Sequence, residues 1–341
     1  MPVEGKASSL SRNAKKKYET YRDTSGALAE VLQPAASFPY GRTLGPTDKV
    51  VAAYLACISA IAVISAPRVP LWPLFVVGHA AVVAILGIAA KKFGESSKNP
   101  GETTSRRPVV ASAVQLARSW YPVVLVPLAY KELEYLVPRV HPRDLDWRLA
   151  AIDYRIFGVN PTVWLERVTF PAFTEIFQLA YISYYFLPLA VGVPLWLEGR
   201  YRQYHMLLFA LVLCFFISYI GYMTVPAVGP RFILNDQQSF ALEGVFLYAP
   251  IRSTLDWAEG ITRDCFPSGH TAIAVLVLYY AWRFRRGTFW ILLPVGTLLI
   301  MSTVYLRYHY VIDVIAGVAL ALFVIIVAKP LHRLLGGDPA G

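Results

Sequence analysis

The chain has 341 residues, of which 56% are hydrophobic and only 16% are charged. Soluble domains carry nearer about a quarter of charged residues, so this composition excludes an ordinary soluble enzyme or binding domain. The formal charge of +10 is spread over tails and loops. This distribution indicates how the chain is oriented in the membrane and predicts no nucleic-acid partner. Three cysteines, Cys57, Cys214 and Cys265, do not predict a disulfide framework.

Taken in chain order, residues 1–49 are polar and lysine-rich, and we expect a flexible basic cytoplasmic tail with no cleavable signal peptide. Two accessory membrane helices follow within residues 50–90, and a Gly/Ser/Lys/Pro-rich cytoplasmic linker within 91–118. Residues 119–328 hold six more spans, and 329–341 form a second cytoplasmic tail. Because a span needs about 20 mostly apolar residues, the predicted spans are 50–66, 69–90, 119–137, 171–197, 205–225, 268–284, 288–306 and 309–328.

These spans predict an all-α polytopic membrane protein with a six-helix domain and two extra N-terminal helices. Between the third and fourth spans, a segment rich in Trp, Arg and Asp predicts a helix lying in the membrane interface. With eight spans both termini share one side, which carries roughly twice as many Lys and Arg residues as the other. The sequence therefore predicts cytoplasmic termini in a cell membrane protein.

Three polar segments then fall on the extracytoplasmic face. They are "VPAVGPRF" at 225–232, "PSGH" at 267–270 and "STVYLRYHYVIDVIAG" at 302–317. They are far apart in sequence, yet the alternation of the spans predicts that they meet.

The third segment carries His309 and Asp313, whose i, i+4 spacing predicts a shared helix face. A carboxylate beside an imidazole fixes its tautomer and stabilises its cationic form. Ionisable residues near membrane depth are costly, so the pair predicts a functional site. The alternative is a helix-start pair that satisfies only itself.

The second segment favours the functional interpretation. The backbone N–H groups of Ser268, Gly269 and His270 stand at a helix start, where such groups cradle anions. Arg231 and Arg307 lie on the same predicted face and could fork onto phosphate oxygens. No Cys/His/Asp/Glu cluster shows metal-ligand spacing, so the sequence predicts neither metal nor cofactor. Together these residues predict phosphoryl transfer.

Three carboxylates are candidates for substrate binding. Glu132 and Glu134 lie in the outer third of the third span beside Lys131, and Glu175 lies near the outer end of the fourth. They could contact a polar headgroup or pair with arginine. The alternatives are a local ion pair between Lys131 and Glu134, or a third span that ends before these residues.

"PSGH" followed about forty residues later by "HYVIDVIAG" resembles the type 2 phosphatidic acid phosphatase and vanadium haloperoxidase superfamily. The resemblance covers roughly residues 119–328 and implies that family's six-helix core. It implies that His309 is the nucleophile, that Asp313 orients it and that His270 is the general acid. It also implies that Ser268 and Gly269 help to bind phosphate.

Two departures from the phosphatase pattern are informative. Ser302-Thr303 stands where the phosphatases have Ser-Arg, and Arg307 lies one helical turn later. Arg231 follows Gly-Pro without the usual lysine upstream. In these respects the chain is similar to fungal inositol phosphorylceramide synthases, a transferase branch, although its "PSGH" is the ordinary phosphatase form.

Three functions remain open from the sequence. The first is hydrolysis of a phosphorylated lipid in the bilayer through a phosphohistidine. The second is transfer of a phosphoryl group or phospho-headgroup to an alcohol acceptor, and the third is a non-enzymatic transporter. The two enzymes share their first step, so the site residues alone do not choose between them, and no oligomeric state is predicted.

Overall fold

The computed structural model describes residues 44–96, 107–260 and 263–337, and these form α-helices and short 3₁₀ turns without strands. Within them the chain is an all-α polytopic membrane protein, as its composition predicts. The helices are α1 Pro46–Ile64, α2 Trp72–Ser96, α3 Arg107–Val140, α4 Asp146–Phe157, α5 Pro161–Trp164, α6 Pro171–Ile182, α7 Leu187–Leu197, α8 Tyr201–Thr224, α9 Pro230–Ile233, α10 Tyr248–Glu259, α11 Gly269–Phe284, α12 Arg286–Tyr305 and α13 Val311–Leu334.

Five of the described helices are long and apolar enough to cross a bilayer: α1, α2, α8, α12 and α13. A sixth span results if α6 with its 3₁₀ turn and α7, which meet at a 42° bend, are counted as one. The other two predicted spans correspond to α3 and α11. The first contains Arg118, Lys131, Glu132 and Glu134, and the second is only 16 residues long.

The centre of the bundle is α8, which packs against α1, α3, α7, α11 and α13. In the most apolar 18-residue stretch of α8, 78% of the residues are buried inside the protein. The corresponding share in α2 is only 17%, so α2 faces lipid. Lipid removes most of the hydrophobic drive for helix association, so close packing and interhelical hydrogen bonds stabilise such a bundle. Two tyrosines of α8 illustrate this, because Tyr204 donates to the carbonyl of Ser119 and Tyr219 to that of Val126.

Helices extend into segments for which the sequence predicts tails or a linker. α1 begins at Pro46, and the Asp48 carboxylate in its first turn is buried against Arg118 and Tyr121 of α3. This ion pair and hydrogen bond hold the first turn of α1 onto the bundle. α3 begins at Arg107, within the predicted linker, and α13 continues to Leu334, within the predicted second tail. Residues 1–43 and 338–341 lie outside the described part of the chain.

The predicted interfacial segment contains α4, an amphipathic helix at the end of the bundle where α13 starts. Trp147 and Tyr154 are exposed on its outer face, while Asp146 and Asp153 are buried on the inner one. A helix with an aromatic outer face suits the headgroup region of a bilayer. The buried aspartates instead position the loops described below.

Candidate active site

The three polar segments meet at one end of the bundle. The backbone N–H of Arg231 in the first segment donates to the carbonyl of Arg307 in the third, at 3.0 Å. The N–H of Ser268 in the second segment donates to the carbonyl of Asp313 in the third, also at 3.0 Å. Backbone bonds therefore join segments that are up to about eighty residues apart, as the alternation of the spans predicts.

His309 lies two residues before α13, rather than inside it, and is almost fully buried. Its backbone N–H donates to the carbonyl of Thr303 at 2.9 Å, which fixes the turn between α12 and α13. Its Nδ1 lies 3.5 Å from Oδ2 of Asp313. That separation is long for a hydrogen bond, but catalytic contacts commonly tighten only when substrate binds.

Asp313 is held in the first turn of α13 by other donors to the same oxygen. The backbone N–H of Tyr310 donates to Oδ2 at 2.8 Å, and the Sγ of Cys265 donates to it at 2.9 Å. Burial and the adjacent carboxylate raise the pKa of the Cys265 thiol, which keeps it protonated as a donor. The carboxylate is therefore fixed before any substrate arrives.

His270, in the first turn of α11, faces the same space as His309. The two ring centroids are 5.8 Å apart. Tyr181 stacks on the His270 ring at 4.4 Å, and Tyr184 covers it at 4.2 Å. Its Nε2 is buried and makes no hydrogen bond to any described residue. The aromatic clamp thus fixes the ring and leaves a nitrogen available to a ligand.

The turn before His270 is closely packed. The side chain of Ser268 caps α11 by accepting from the N–H of Thr271 at 3.3 Å. The prediction that the Ser268 N–H is free to bind an anion is wrong, because the backbone carbonyl of Asp313 accepts from it. A Cβ on Gly269 would lie 2.4 Å from the Tyr222 hydroxyl, so any larger residue here would have to displace that hydroxyl. The anion-binding roles of Gly269 and His270 stay predictions.

The predicted phosphate-binding arginines lie beside one cavity of about 240 Å³, which Arg252 also lines. Nη2 of Arg307 pairs with Oε1 of Glu166 at 2.8 Å, and its Nη1 bonds to Gln238. Burial lowers the pKa of the Arg307 guanidinium, and Glu166 opposes that decrease.

Arg231 keeps free donor capacity. Its Nη2 donates to Asp256 at 2.8 Å, while its buried Nη1 has no hydrogen-bond partner among the described residues. Its guanidinium lies 5.1 Å from the ring centroid of Tyr308, the residue before His309. Of the two arginines, Arg231 is the one with an unused N–H group close to the histidine turn.

Asp146, which the sequence analysis does not single out, fixes two of the loops. Its carboxylate accepts from the N–H groups of Val228 and Gly229 at 3.0 and 2.8 Å. It also accepts from the hydroxyl of Tyr310 at 3.1 Å. The first polar segment is thereby joined to the start of α13.

Asp153 lies two helical turns further along α4 and caps α13. It accepts from the N–H groups of Val311 and Ile312 at 2.7 and 2.9 Å. Burial raises the pKa of Asp153, and these two donors oppose the increase. The seven-residue spacing of two aspartates on one face of an amphipathic helix is the signal that could have revealed both residues.

A further bond joins α3 to the second segment. The hydroxyl of Tyr130 makes a short hydrogen bond to the carboxylate of Asp264, next to Cys265. Burial raises the pKa of Asp264, whereas the Tyr130 hydrogen bond and the charge of His309 lower it. Asp264 is therefore a second carboxylate near the histidine pair.

The three predicted substrate-binding carboxylates are engaged elsewhere. Oε2 of Glu132 lies 3.1 Å from His79, and Oε2 of Glu134 lies 3.7 Å from Lys131, the local alternative considered from sequence. Glu175 accepts from the N–H groups of residues 245–248. No described contact joins them to the histidine pair, and their roles in substrate binding stay predictions.

The fold also assembles a donor set that the sequence spacing does not show. Donor atoms of Cys265, His309 and Asp313 all lie within 4.8 Å of one another. Thiolate, imidazole and carboxylate together are ligands suited to zinc and similar cations. The cluster coincides with the proposed nucleophile, so a cation held there would occupy the site.

A family model described as "PAP2 superfamily" matches residues 148–327. A PA-phosphatase related-family protein of Dictyostelium discoideum is 28% identical over 170 residues, which is 44% of this chain and 31% of that relative. The chain thus matches about a third of that relative's length. No solved structure gives a significant match.

Proposed function

The chain belongs to the PAP2 superfamily, and from that premise we propose that it is an integral-membrane lipid phosphatase that works through a phosphohistidine on His309. The observation that carries the proposal is the buried arrangement in which Asp313 faces Nδ1 of His309 while His270 lies across from it. The membrane phosphatase class follows from the family. The intermediate, the substrate and the membrane face are the proposed parts.

In the first step Nε2 of His309 attacks phosphorus, and the bond from phosphorus to the lipid oxygen breaks. The proton on Nδ1 is held towards Asp313, which stabilises the positive charge that develops on the ring. Beside the bound anionic phosphate, His270 is protonated and gives its Nε2 proton to the departing lipid oxygen. This nitrogen has no hydrogen-bond partner among the described residues. The products are a phosphorylated His309 and a neutral lipid alcohol.

In the second step a water molecule attacks phosphorus and breaks the phosphorus–nitrogen bond. His270, now neutral, accepts a proton from that water and so regains the proton that it gave up in the first step. Inorganic phosphate leaves and His309 is restored. Dividing one displacement into two lets the same histidine pair serve as acid and then as base.

A lipid substrate is supported by the position of the site. The histidine pair lies where α11 and α13 begin, beneath the aromatic outer face of α4. Interfacial aromatic residues mark headgroup depth, which is the depth of a lipid phosphate. The basic-residue count supports placing this end outside the cytoplasm.

The test uses full-length protein in nanodiscs with phosphatidic acid labelled at phosphorus. We expect phosphate release with the wild-type protein, and an acid-labile, alkali-stable protein label after a rapid quench. His309→Ala should abolish both signals. His270→Ala should reduce turnover by about two to four orders of magnitude, the usual contribution of general acid–base catalysis.

His205→Ala is the matched control, because His205 is buried elsewhere in the bundle and is not part of the histidine pair. Its folding is checked by size-exclusion chromatography and thermal melting. Phosphate release that survives in His309→Ala would overturn the proposed intermediate. Labelled protein without hydrolysis in the wild type would overturn the choice of water as acceptor.

A second candidate is transfer of the phosphoryl group or phospho-headgroup to an alcohol. It is favoured by Thr303, which occupies the position of the phosphatases' arginine; its side chain bonds to the carbonyl of Ile300 at 2.7 Å and offers no cation. The same nanodiscs, supplied with phosphatidylinositol, ceramide or free inositol, distinguish the two functions. A new phospholipid that depends on His309 would identify a transferase.

A further inference from the structure

The helices that precede the family match enclose a second cavity. It has a volume of about 350 Å³ and lies between α1, α2 and α3. Its mouth opens onto the lipid-facing surface, since Leu74 and Leu128 on its rim are 67% and 58% exposed. The walls are apolar except for two residues, His79 and Glu132.

These two residues belong to a hydrogen-bond network that joins three helices. Oγ of Ser59 on α1 lies 2.8 Å from Nδ1 of His79 on α2. Nε2 of the same ring lies 3.1 Å from Oε2 of Glu132 on α3. Each helix around the cavity thus contributes one member, and both nitrogens of the buried His79 ring are engaged.

One strong acceptor of this network, an oxygen of Glu132, has no hydrogen bond to the described residues. His79 satisfies Oε2 of Glu132, but the described residues form no hydrogen bond to Oε1, and the side chain is 31% exposed. An ionisable group at membrane depth is costly and usually marks a binding or transport path.

Acyl transfer, which a Ser-His-Glu set might suggest, does not fit this location. Ser59, His79 and Glu132 all lie inside helices, so the backbone N–H groups around them are used in helical hydrogen bonds. No oxyanion hole is available there, and a serine nucleophile requires one. The arrangement is suited to binding.

We propose that this cavity binds a long-chain lipid alcohol, whose hydroxyl donates to Oε1 of Glu132 and whose chain lies along the apolar walls. A carboxylate attracts a hydroxyl donor and repels a phosphate, so the ligand is an unphosphorylated lipid. The hydrocarbon chain of this ligand enters laterally from the bilayer past Leu74 and Leu128. The site lies outside residues 148–327 and does not depend on the chemistry of His309.

The experiment uses full-length protein in nanodiscs with a hexadecanol analogue that carries a diazirine and an alkyne. Irradiation and peptide mapping should place the label on residues 71–82 or 125–132. Unlabelled hexadecanol should compete at a concentration at least about tenfold lower than its methyl ether, because the ether cannot donate to the carboxylate. This comparison needs no variant, so a folding defect cannot obscure it.

Two variants then assign the hydroxyl contact. Glu132→Leu should remove the difference between alcohol and ether, whereas Glu134→Leu, whose carboxylate pairs with Lys131, should retain it. Equal competition by alcohol and ether in the wild type would overturn the proposal, as would labelling confined to other helices. Persistence of the difference in Glu132→Leu would overturn the role of that carboxylate. If the phosphatase proposal fails, each of these outcomes can still be measured, because none of them depends on His309.

Discussion

Oδ2 of Asp313 is the atom on which the candidate site converges. It accepts from Cys265 and from the N–H of Tyr310 and faces Nδ1 of His309. A buried carboxylate without donors would be strongly destabilising, so these contacts stabilise the carboxylate in its buried position. The thiol of Cys265 is the only side-chain donor in the set besides the histidine itself.

Replacing Cys265 should therefore weaken catalysis through Asp313. We expect Cys265→Val to reduce kcat by about two- to tenfold, the range for one lost hydrogen bond, with little change in KM. Cys265→Ser keeps a donor and should lie nearer to the wild type. Steady-state kinetics on phosphatidic acid measure both. Cys214→Val, in the core of α8, is the control, and an equal loss in all three variants would contradict the prediction.

The same three side chains predict inhibition by thiophilic cations. Cd²⁺ or Zn²⁺ bound by Cys265, His309 and Asp313 would take the orienting carboxylate away from the imidazole. We expect micromolar-range Cd²⁺ to inhibit and Mg²⁺ to have no such effect. Cys265→Ser should raise the half-inhibitory Cd²⁺ concentration by about tenfold or more. Unchanged Cd²⁺ sensitivity in that variant would place the inhibitory ion elsewhere.

At the scale of elements, α4 joins the loops of the site. Its Asp146 holds the first polar segment and Tyr310, and its Asp153 holds the first N–H groups of α13. The first four N–H groups of a helix have no partner within the helix. Two of these N–H groups in α13 donate to Asp153 of α4, so the position of His309 depends on α4.

Removing the cap should loosen that position. Asp153→Ala leaves two buried N–H groups unpaired, and we expect a loss of about 1–3 kcal/mol of stability with a clear fall in kcat. Asp153→Asn keeps one acceptor oxygen and should be intermediate. Thermal melting and kinetics on the same preparations check the order. Equal effects of Ala and Asn would show that charge, rather than capping, is what matters.

These elements also show how far the sequence could lead. His270, His309 and Asp313 lie in short motifs whose spacing is local, so their neighbourhood could be predicted. Asp146 and Asp153 act on residues more than eighty and about 160 positions away, and a single sequence does not encode such pairings in any local pattern. The start of α1 at Pro46 does not follow from the polar composition there, because a tertiary ion pair between Asp48 and Arg118 stabilises its first turn.

On the scale of the whole molecule, the candidate site and one cluster of arginines lie at opposite ends of the bundle. The histidine pair lies where α11 and α13 begin, whereas three arginines, Arg283, Arg285 and Arg286, lie at the junction of α11 and α12 at the other end. Lys and Arg near span ends are retained on the cytoplasmic side. This separation is the physical basis for predicting that the site faces away from the cytoplasm.

A cysteine added at either end of the bundle tests that orientation. Trp257 on α10 is 83% exposed at the end that carries the site, and an added side chain at Gly287 meets no neighbour at the other end. In intact cells a membrane-impermeant maleimide should label Trp257→Cys, and label Gly287→Cys only after permeabilisation. The wild-type chain gives the background, since Cys214 and Cys265 are buried and the exposed Cys57 lies within the membrane-spanning helix α1. The reverse pattern would place the histidine pair in the cytoplasm. The lipid phosphate would then be drawn from the inner leaflet, because the position of His309 in the bundle fixes which leaflet its substrate comes from.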